Sequence, residues 1–141
     1  MNIFNRLAVG VVATAAALAP VLVVVPAANA QTNSWTVIER ANKARHGACK
    51  VSVNEGASWK VYNRLDSRQA TGGRLRATMT VTVFGASTSR KWASGWVRRG
   101  HLSAVGSVIM PRKPGRQLVM TLAGDNSGSG GTLAVGAIGR C

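Results

Sequence analysis

The segment 90–101 is the densest concentration of chemically active side chains in this 141-residue chain. It reads RKWASGWVRRGH, which places two indoles among several cations. In a strand, alternate residues point to the same face, and here they are Arg90, Trp92, Ser94, Trp96 and Arg98. Guanidinium groups bind phosphate or carboxylate, while indoles stack on bases or sugar rings, or lie at a bilayer interface. The segment predicts contact with an anionic partner, with burial of both indoles in the core as the alternative.

Two smaller basic clusters add to this segment, one at residues 74–76 and one at residues 112–116. Each cluster alone is typical of a solvated strand or turn, but together they favour one continuous cationic surface. The predicted anion-binding residues are Arg74, Arg76, Arg90, Lys91, Arg98, Arg99, Arg112, Lys113 and Arg116. The predicted aromatic contacts are Trp92 and Trp96.

The net charge of the chain is +14, with 18 Lys and Arg residues against four Asp and Glu residues. Self-repulsion of this size destabilises a compact state unless counterions or an anionic partner offset it. Arginine outnumbers lysine, and its planar fork suits bidentate recognition of phosphate or carboxylate. A basic surface that only maintains solubility is the alternative explanation.

The first 30 residues are typical of a secretory signal peptide. A positive start at Arg6 leads into an apolar run over residues 7–25, and Ala28-Asn29-Ala30 fits the small-x-small pattern of signal peptidase sites. The run is long enough to suggest a membrane anchor instead, but Pro20 interrupts it and no basic stop-transfer cluster follows. We expect cleavage after Ala30 and secretion of residues 31–141 as a single basic β-domain.

Cys49 and Cys141 are the only cysteines, and export places them in an oxidising compartment where disulfides form. A bridge between them would close a loop of about 93 residues, for which chain entropy predicts a stabilisation of roughly 4–5 kcal/mol. An intermolecular bridge and two free thiols are the alternatives. Two cysteines and two histidines at this spacing match no zinc motif, so we expect no metal and no other cofactor.

Apolar and polar residues alternate from Cys49 onward, most clearly over residues 74–84. There every second residue from Leu75 to Val83 is apolar, and these residues share one face. The predicted strands span residues 49–53, 59–62, 74–84, 91–99, 102–110, 116–123 and 132–138. Glycine- and proline-rich turns separate them. The pattern predicts an all-β fold: a small antiparallel sandwich or barrel of six or seven strands with one disulfide. Residues 33–44 fit a short N-terminal helix stopped by Gly47, although Trp-Thr-Val-Ile also suits a strand.

These features favour a secreted, non-enzymatic cationic protein that binds an anionic membrane, a wall polymer or another polyanion. Such a protein could be a bacteriocin-like antimicrobial or a component of the producer's own envelope. The first alternative is an inhibitor of an extracellular hydrolase that presents the loop 111–116 on a rigid scaffold. The second is a small secreted ribonuclease that uses His46 and His101. No catalytic residue is predicted under the preferred hypothesis.

Overall fold

A computed structural model of the protein describes residues 34–141, which form nine strands in two antiparallel sheets. The strands are β1 (Thr36–Ala41), β2 (Ala44–Val53), β3 (Ser58–Asp66), β4 (Arg74–Val83), β5 (Ala86–Ala93), β6 (Val97–Arg98), β7 (Gly106–Pro111), β8 (Arg116–Gly124) and β9 (Gly128–Leu133). The prediction of an all-β, sandwich-like fold is confirmed. The predicted signal peptide and its cleavage site lie outside the described residues.

Sheet I has the strand order β1-β2-β3-β7, and sheet II has the order β5-β4-β8-β9. The short strand β6 pairs with β4 on the same edge as β5. β4 and β8 pair over their full lengths, so the long alternating segment predicted from the sequence lies at the centre of sheet II. A 3-10 turn (Val135–Ala137) follows β9. No helix in the described part of the chain is long and apolar enough to span a membrane.

The N-terminal segment is a strand, so the helix considered for residues 33–44 is wrong. β1 and β2 form a hairpin through Asn42 and Lys43, whose φ angles are +48° and +61°. Two successive residues with positive φ give a two-residue turn a twist that matches the right-handed twist of the strands it connects. Asn is one of the residues that tolerates this conformation. Gly47 continues β2 instead of stopping a helix, because Trp35 packs directly against it.

The predicted strand 91–99 is divided into β5 and β6. Gly95 has a φ of +68°, which favours glycine and breaks the strand. The Ser94 hydroxyl replaces a strand partner there, since its Oγ accepts from the Ala77 amide at 2.9 Å and donates to the Gly95 carbonyl at 2.7 Å. Trp92 and Trp96 therefore do not share a strand face.

Other strand boundaries also differ from the predictions. The strand predicted over residues 102–110 begins only at Gly106, and the last strand runs over Gly128–Leu133 instead of residues 132–138. The glycines at the start of β9 pair with β8 although no side-chain alternation marks them. Hydrophobic periodicity cannot detect such a strand, because glycine contributes no side chain to either face.

The core lies between the sheets and combines apolar residues from both. One cluster contains Val61 and Val108 of sheet I with Met79, Val81 and Leu118 of sheet II. A second cluster, named by its largest members, contains Leu65, Leu75 and Leu122. The half-buried Trp92 packs against both clusters and so links the two halves of the core.

The predicted bridge between Cys49 and Cys141 is present. The C-terminal residues lie along the edge of β2, where the Lys50 amide donates to the Gly139 carbonyl at 3.0 Å and the Cys141 amide donates to the Lys50 carbonyl at 3.2 Å. Ile138 is buried in the core beside this edge. The disulfide therefore fastens the end of the chain to the second strand.

Candidate anion-binding face

The register of β4 and β6 places Arg74 directly opposite Arg98. The next pair in the register, Leu75 and Val97, points into the core, so both arginine side chains point outward. Both arginines are exposed. Like charges directly opposite each other on adjacent strands are destabilising. This pair therefore concentrates positive charge on one part of the outer surface of sheet II.

Further cations extend this region of sheet II. Arg76 follows on the outward side of β4, and Lys91 pairs with Thr80 on the same side. The backbone of Arg99 is held beside Arg74 by a 3.0 Å hydrogen bond from its amide to the Gly73 carbonyl. We define the sheet II face by its exposed members: Arg74, Arg76, Lys91, Trp96, Arg98 and Arg99.

Trp96 is 49% exposed, and the Arg74 guanidinium lies over its ring at 5.2 Å from the centroid. The guanidinium covers one face of this indole in a cation–π contact. The role of Trp96 as an aromatic contact stays a prediction, and the neighbour that covers its ring is an arginine predicted to bind anions.

One carboxylate lies at the margin of the sheet II face. Asp125 approaches Arg74 with a side-chain N···O distance of 3.7 Å, and its Oδ2 also accepts from the Arg74 amide at 3.4 Å. An open cleft of about 500 Å³ is lined there by Arg74, Arg98, Arg99 and Asp125 together with Gly72 and Gly73. One carboxylate among three guanidinium groups leaves the cleft strongly positive.

Three of the four remaining predicted anion-binding residues lie at the other end of the sandwich. Arg112 and Lys113 belong to the β7–β8 loop, and Arg116 begins β8. This loop adjoins the β4–β5 turn, because the Phe84 amide donates to the Gly115 carbonyl at 2.7 Å. β4 runs from Arg74 to this turn, a strand length of roughly 30 Å. The nine predicted cations therefore do not form one continuous surface. The sequence shows that the cations of residues 112–116 are close to one another, but it does not show at which end of the sandwich the β7–β8 loop lies.

Arg112 is fixed by neighbouring side chains. Its guanidinium lies 3.7 Å from the centroid of the Trp59 ring and donates to the Ser52 hydroxyl at 2.7 Å. Lys50 approaches the same ring at 5.0 Å, and its Nζ donates to the Val135 carbonyl at 2.6 Å. Desolvation, with help from nearby arginines, lowers the pKa of Lys50. Arg90 lies in an irregular part of β5 and is exposed.

Trp92 has a mainly structural position. It is half-buried, packs against both core clusters and stacks on His46 with ring centroids 5.3 Å apart. A Cβ at Gly106 would collide with its indole, so that glycine permits the close packing. Trp92 therefore does not join Trp96 on the sheet II face.

His46 is fully buried between the sheets. Its Nε2 lies 3.1 Å from the Asn63 Oδ1, and its Nδ1 has no hydrogen-bond partner within residues 34–141. Burial lowers its pKa to about 4, against the opposing effect of the Asn63 hydrogen bond. His101 is exposed, with Nδ1 3.0 Å from the Arg99 carbonyl oxygen. Only His101 could meet a substrate, so the pair considered for a ribonuclease is not assembled in an accessible site.

Sequence reasoning missed a second set of exposed or half-exposed basic and aromatic residues, on the outer side of sheet I. These residues are Trp35, Arg40, Arg45, Lys60, Tyr62, Arg64 and Arg68. Period-two alternation over residues 60–64 was the available signal, because Lys60, Tyr62 and Arg64 share the face opposite to Val61 and Asn63. The cations are spread over three strands and a loop, so no local cluster marks them.

No group of three His, Cys, Asp or Glu side chains within residues 34–141 is arranged to hold a metal ion. Comparison of the chain with known proteins found no matching family model, no matching curated protein and no matching solved structure.

Proposed function

We propose that this chain is a secreted, non-enzymatic cationic protein that binds the anionic surface of a cell envelope through its sheet II face. That envelope belongs either to a competing cell, which would make the protein a bacteriocin-like antimicrobial, or to the producer. The observation that carries the proposal is the exposed Arg74–Arg98 pair, in which two guanidinium groups face solvent from directly opposed backbone positions. An anionic group bound between them would turn a repulsive arrangement into an attractive one.

The charge balance of the whole domain supports an external partner. Only four acids are available to the described residues, and two of them, Asp66 and Asp125, already lie within ion-pair distance of an arginine. Internal pairing therefore leaves most of the cations without an acidic partner. Surface attraction of this kind weakens as salt screens it, with a Debye length of about 10 Å at 0.1 M ionic strength.

The shape of the sheet II face also supports binding to an extended partner. Its cleft is open, and its polar groups are almost all cations. A small-molecule site is more commonly a concave, mainly apolar pocket with a few converging polar groups. A flat, charged face is better matched to repeated negative groups on a polymer or headgroup layer.

We expect the Arg74→Gln/Arg98→Gln variant to bind immobilised poly(glycerol phosphate) at least tenfold more weakly at low salt. The slope of log affinity against log salt should also become shallower by about two, because each lost phosphate contact removes roughly one released counterion. Binding measured by surface plasmon resonance between about 50 and 400 mM NaCl tests both expectations.

The matched control is Lys113→Gln/Arg116→Gln, which removes two cations at the other end of the sandwich. Equal losses in both variants would show that net charge, not this face, governs binding. The Arg74→Gln/Arg98→Gln variant removes the opposed like charges but also the contacts of Arg74 with Asp125 and Trp96. These effects have opposite signs and each is about 1 kcal/mol or less at an exposed site, so the unfolding temperature should stay close to that of the wild type. Weaker binding in this variant could then not be ascribed to unfolding.

A second function, inhibition of an extracellular hydrolase, is favoured by the rigid end of the sandwich. Phe84 is 81% exposed at the β4–β5 turn, and its ring covers Gly115 of the β7–β8 loop. A protruding aromatic held in place loses little entropy on binding, which is typical of an interface anchor.

If this second function is correct, the protein inhibits at least one member of a panel of secreted proteases and glycosidases. Phe84→Ala should then raise the inhibition constant at least tenfold, because it removes the anchor, whereas Trp96→Ala should leave it unchanged. Absence of inhibition across the panel would reject this function.

A further inference from the structure

We infer that the outer side of sheet I is a second anion-binding face, so that one molecule holds two linear phosphate polymers at once and cross-links them. This inference rests on the proposed function and specifies its ligand as a chain of phosphate groups. We define the sheet I face by its basic side chains: Arg40, Lys43, Arg45, Lys60, Arg64 and Arg68.

The sheet I face repeats the arrangement found on sheet II. The register of β1 and β2 places Arg40 directly opposite Arg45. The next pair, Ala41 and Ala44, points inward, with Ala44 fully buried, so both arginines point outward and are exposed. Each sheet thus carries one directly opposed, exposed arginine pair with one carboxylate beside it, Asp66 opposite Arg45 and Asp125 near Arg74. One carboxylate offsets only part of the repulsion between two guanidinium groups, so a bound anion would be attracted to each pair.

Shallow clefts extend from this arginine pair. One, of about 280 Å³, is lined by Lys43, Arg45, Asp66, Arg68 and Gln69. Another, of about 240 Å³, shares Arg45, Asp66 and Arg68 and continues to Arg64. Together they form a cationic track across the outer side of β2 and β3.

Asp66 is the one acid that lines these clefts, and it is already engaged. Arg68 donates to both of its carboxylate oxygens, at 3.0 and 2.8 Å, and this hydrogen bonding lowers the pKa of Asp66. Arg40, Lys43, Arg45 and Arg64 have no acidic side chain within ion-pair distance in the described part of the chain. The track therefore keeps a strong excess of positive charge.

The aromatic rings of this face favour a phosphate polymer over a nucleic acid read by stacking. Trp35 packs on Gly47 and has the Arg64 guanidinium 4.7 Å from its ring centroid. Tyr62 has the Lys60 ammonium 5.1 Å from its centroid. Rings already covered by cations are poor platforms for bases, which need a free aromatic face.

The distribution of apolar side chains disfavours insertion into a membrane. Among the exposed large apolar residues of the described chain, Ile109 lies opposite Lys60 and Leu102 lies opposite Asp66 on the outer side of sheet I. Lys60 and Asp66 are six residues apart on β3, a distance of about 20 Å, so the two apolar side chains are isolated from each other. A protein that lies in a bilayer interface needs a contiguous apolar face in addition to its cations. Attraction to phosphate groups is therefore the chemistry that this face offers.

The two faces point in opposite directions, because the common core lies between the sheets. Packed sheets are about 10 Å apart, so a polymer on one face meets the other only by passing around the edge of the sandwich. Two separate chains can occupy the two faces without contact. The geometry predicts a bivalent molecule.

We expect the wild-type protein to cross-link soluble poly(glycerol phosphate), with light scattering that rises and then falls as the protein-to-polymer ratio increases. Arg40→Gln/Arg45→Gln and Arg74→Gln/Arg98→Gln should each still bind the polymer but lower the maximum scattering at least tenfold, because each retains one face. The quadruple variant should lose both binding and scattering. Lys113→Gln/Arg116→Gln is the charge-matched control and should behave like the wild type.

Each other outcome contradicts a definite part of the inference. Undiminished scattering by Arg40→Gln/Arg45→Gln, with thermal unfolding like the wild type, would show that sheet I is not a binding face, while the proposed function would stand. Failure of the wild type to bind the polymer would remove the proposed function itself. Cross-linking of single-stranded DNA, or of vesicles with about one quarter phosphatidylglycerol, without cross-linking of the polymer would show that the assigned ligand is wrong.

Discussion

The Cys49→Ser/Cys141→Ser variant is expected to lose about 4 kcal/mol of unfolding free energy and to melt roughly 20 °C below the wild type. The bridge joins residues 92 positions apart, so it removes much of the conformational freedom of the unfolded chain. A domain of this size has a net stability of about 5–15 kcal/mol. Differential scanning calorimetry and urea unfolding at neutral pH measure the loss.

The C-terminal segment has other attachments, so the serine variant should be folded but marginal. Ile138 stays in the core, and Lys50 hydrogen-bonds to the Val135 carbonyl as well as to the backbone of residues 139–141. Reduction of the wild-type disulfide should lower the free energy of unfolding by the same amount. The reductant should not change the free energy of unfolding of the serine variant. A loss below about 1 kcal/mol in unfolding free energy would mean that residual structure already restricts the unfolded chain about as much as the disulfide does.

The sequence predicted this disulfide and the fold class because both depend on strong, simple signals. Two cysteines in one chain have only one intramolecular pairing, and ten residues of alternation from Arg74 to Val83 fit only a strand with one buried face. The N-terminal segment was ambiguous because its helix-capping and β-branched residues support different structures. Packing of Trp35 on Gly47 and the hairpin at Asn42 resolve it as a strand.

The positions of the cations could not be predicted in the same way. Arg74 and Arg98 are separated along the chain, and their opposition depends on the break at Gly95, which starts a new strand with its own register. Arg40 and Arg45 are close in sequence, but only a two-residue turn makes them partners. Strand register decides which side chains lie next to each other on a face of a sheet. Turns and bulges set that register, and the number of charged residues gives no information about them.

The largest pH effect in this protein is expected from His46. Its pKa is lowered to about 4 in the folded state, against about 6.5 in an unfolded chain. The unfolded state therefore binds the proton first as the pH falls. The contribution of neutral His46 to stability is complete above about pH 6.5, and about 3 kcal/mol is lost by about pH 4. Urea unfolding at constant ionic strength across this range measures the loss.

Variants assign this pH dependence to its source. His46→Gln keeps a polar side chain near Asn63 but cannot be protonated, so its stability should change much less between about pH 6.5 and pH 4. His101→Gln removes an exposed imidazole and should keep the full dependence. A dependence that survives His46→Gln at full size would show that the buried imidazole is not its source.

This pH dependence also separates folding from binding in the proposed function. Guanidinium groups keep their charge from neutral pH down to pH 4, so affinity for a phosphate polymer should persist wherever the domain stays folded. Loss of binding on acidification should therefore coincide with unfolding of the wild type. In His46→Gln, binding should continue to lower pH, because the buried imidazole no longer drives unfolding. Parallel loss of binding in both proteins, while both remain folded, would mean that binding depends on a group other than the guanidinium groups.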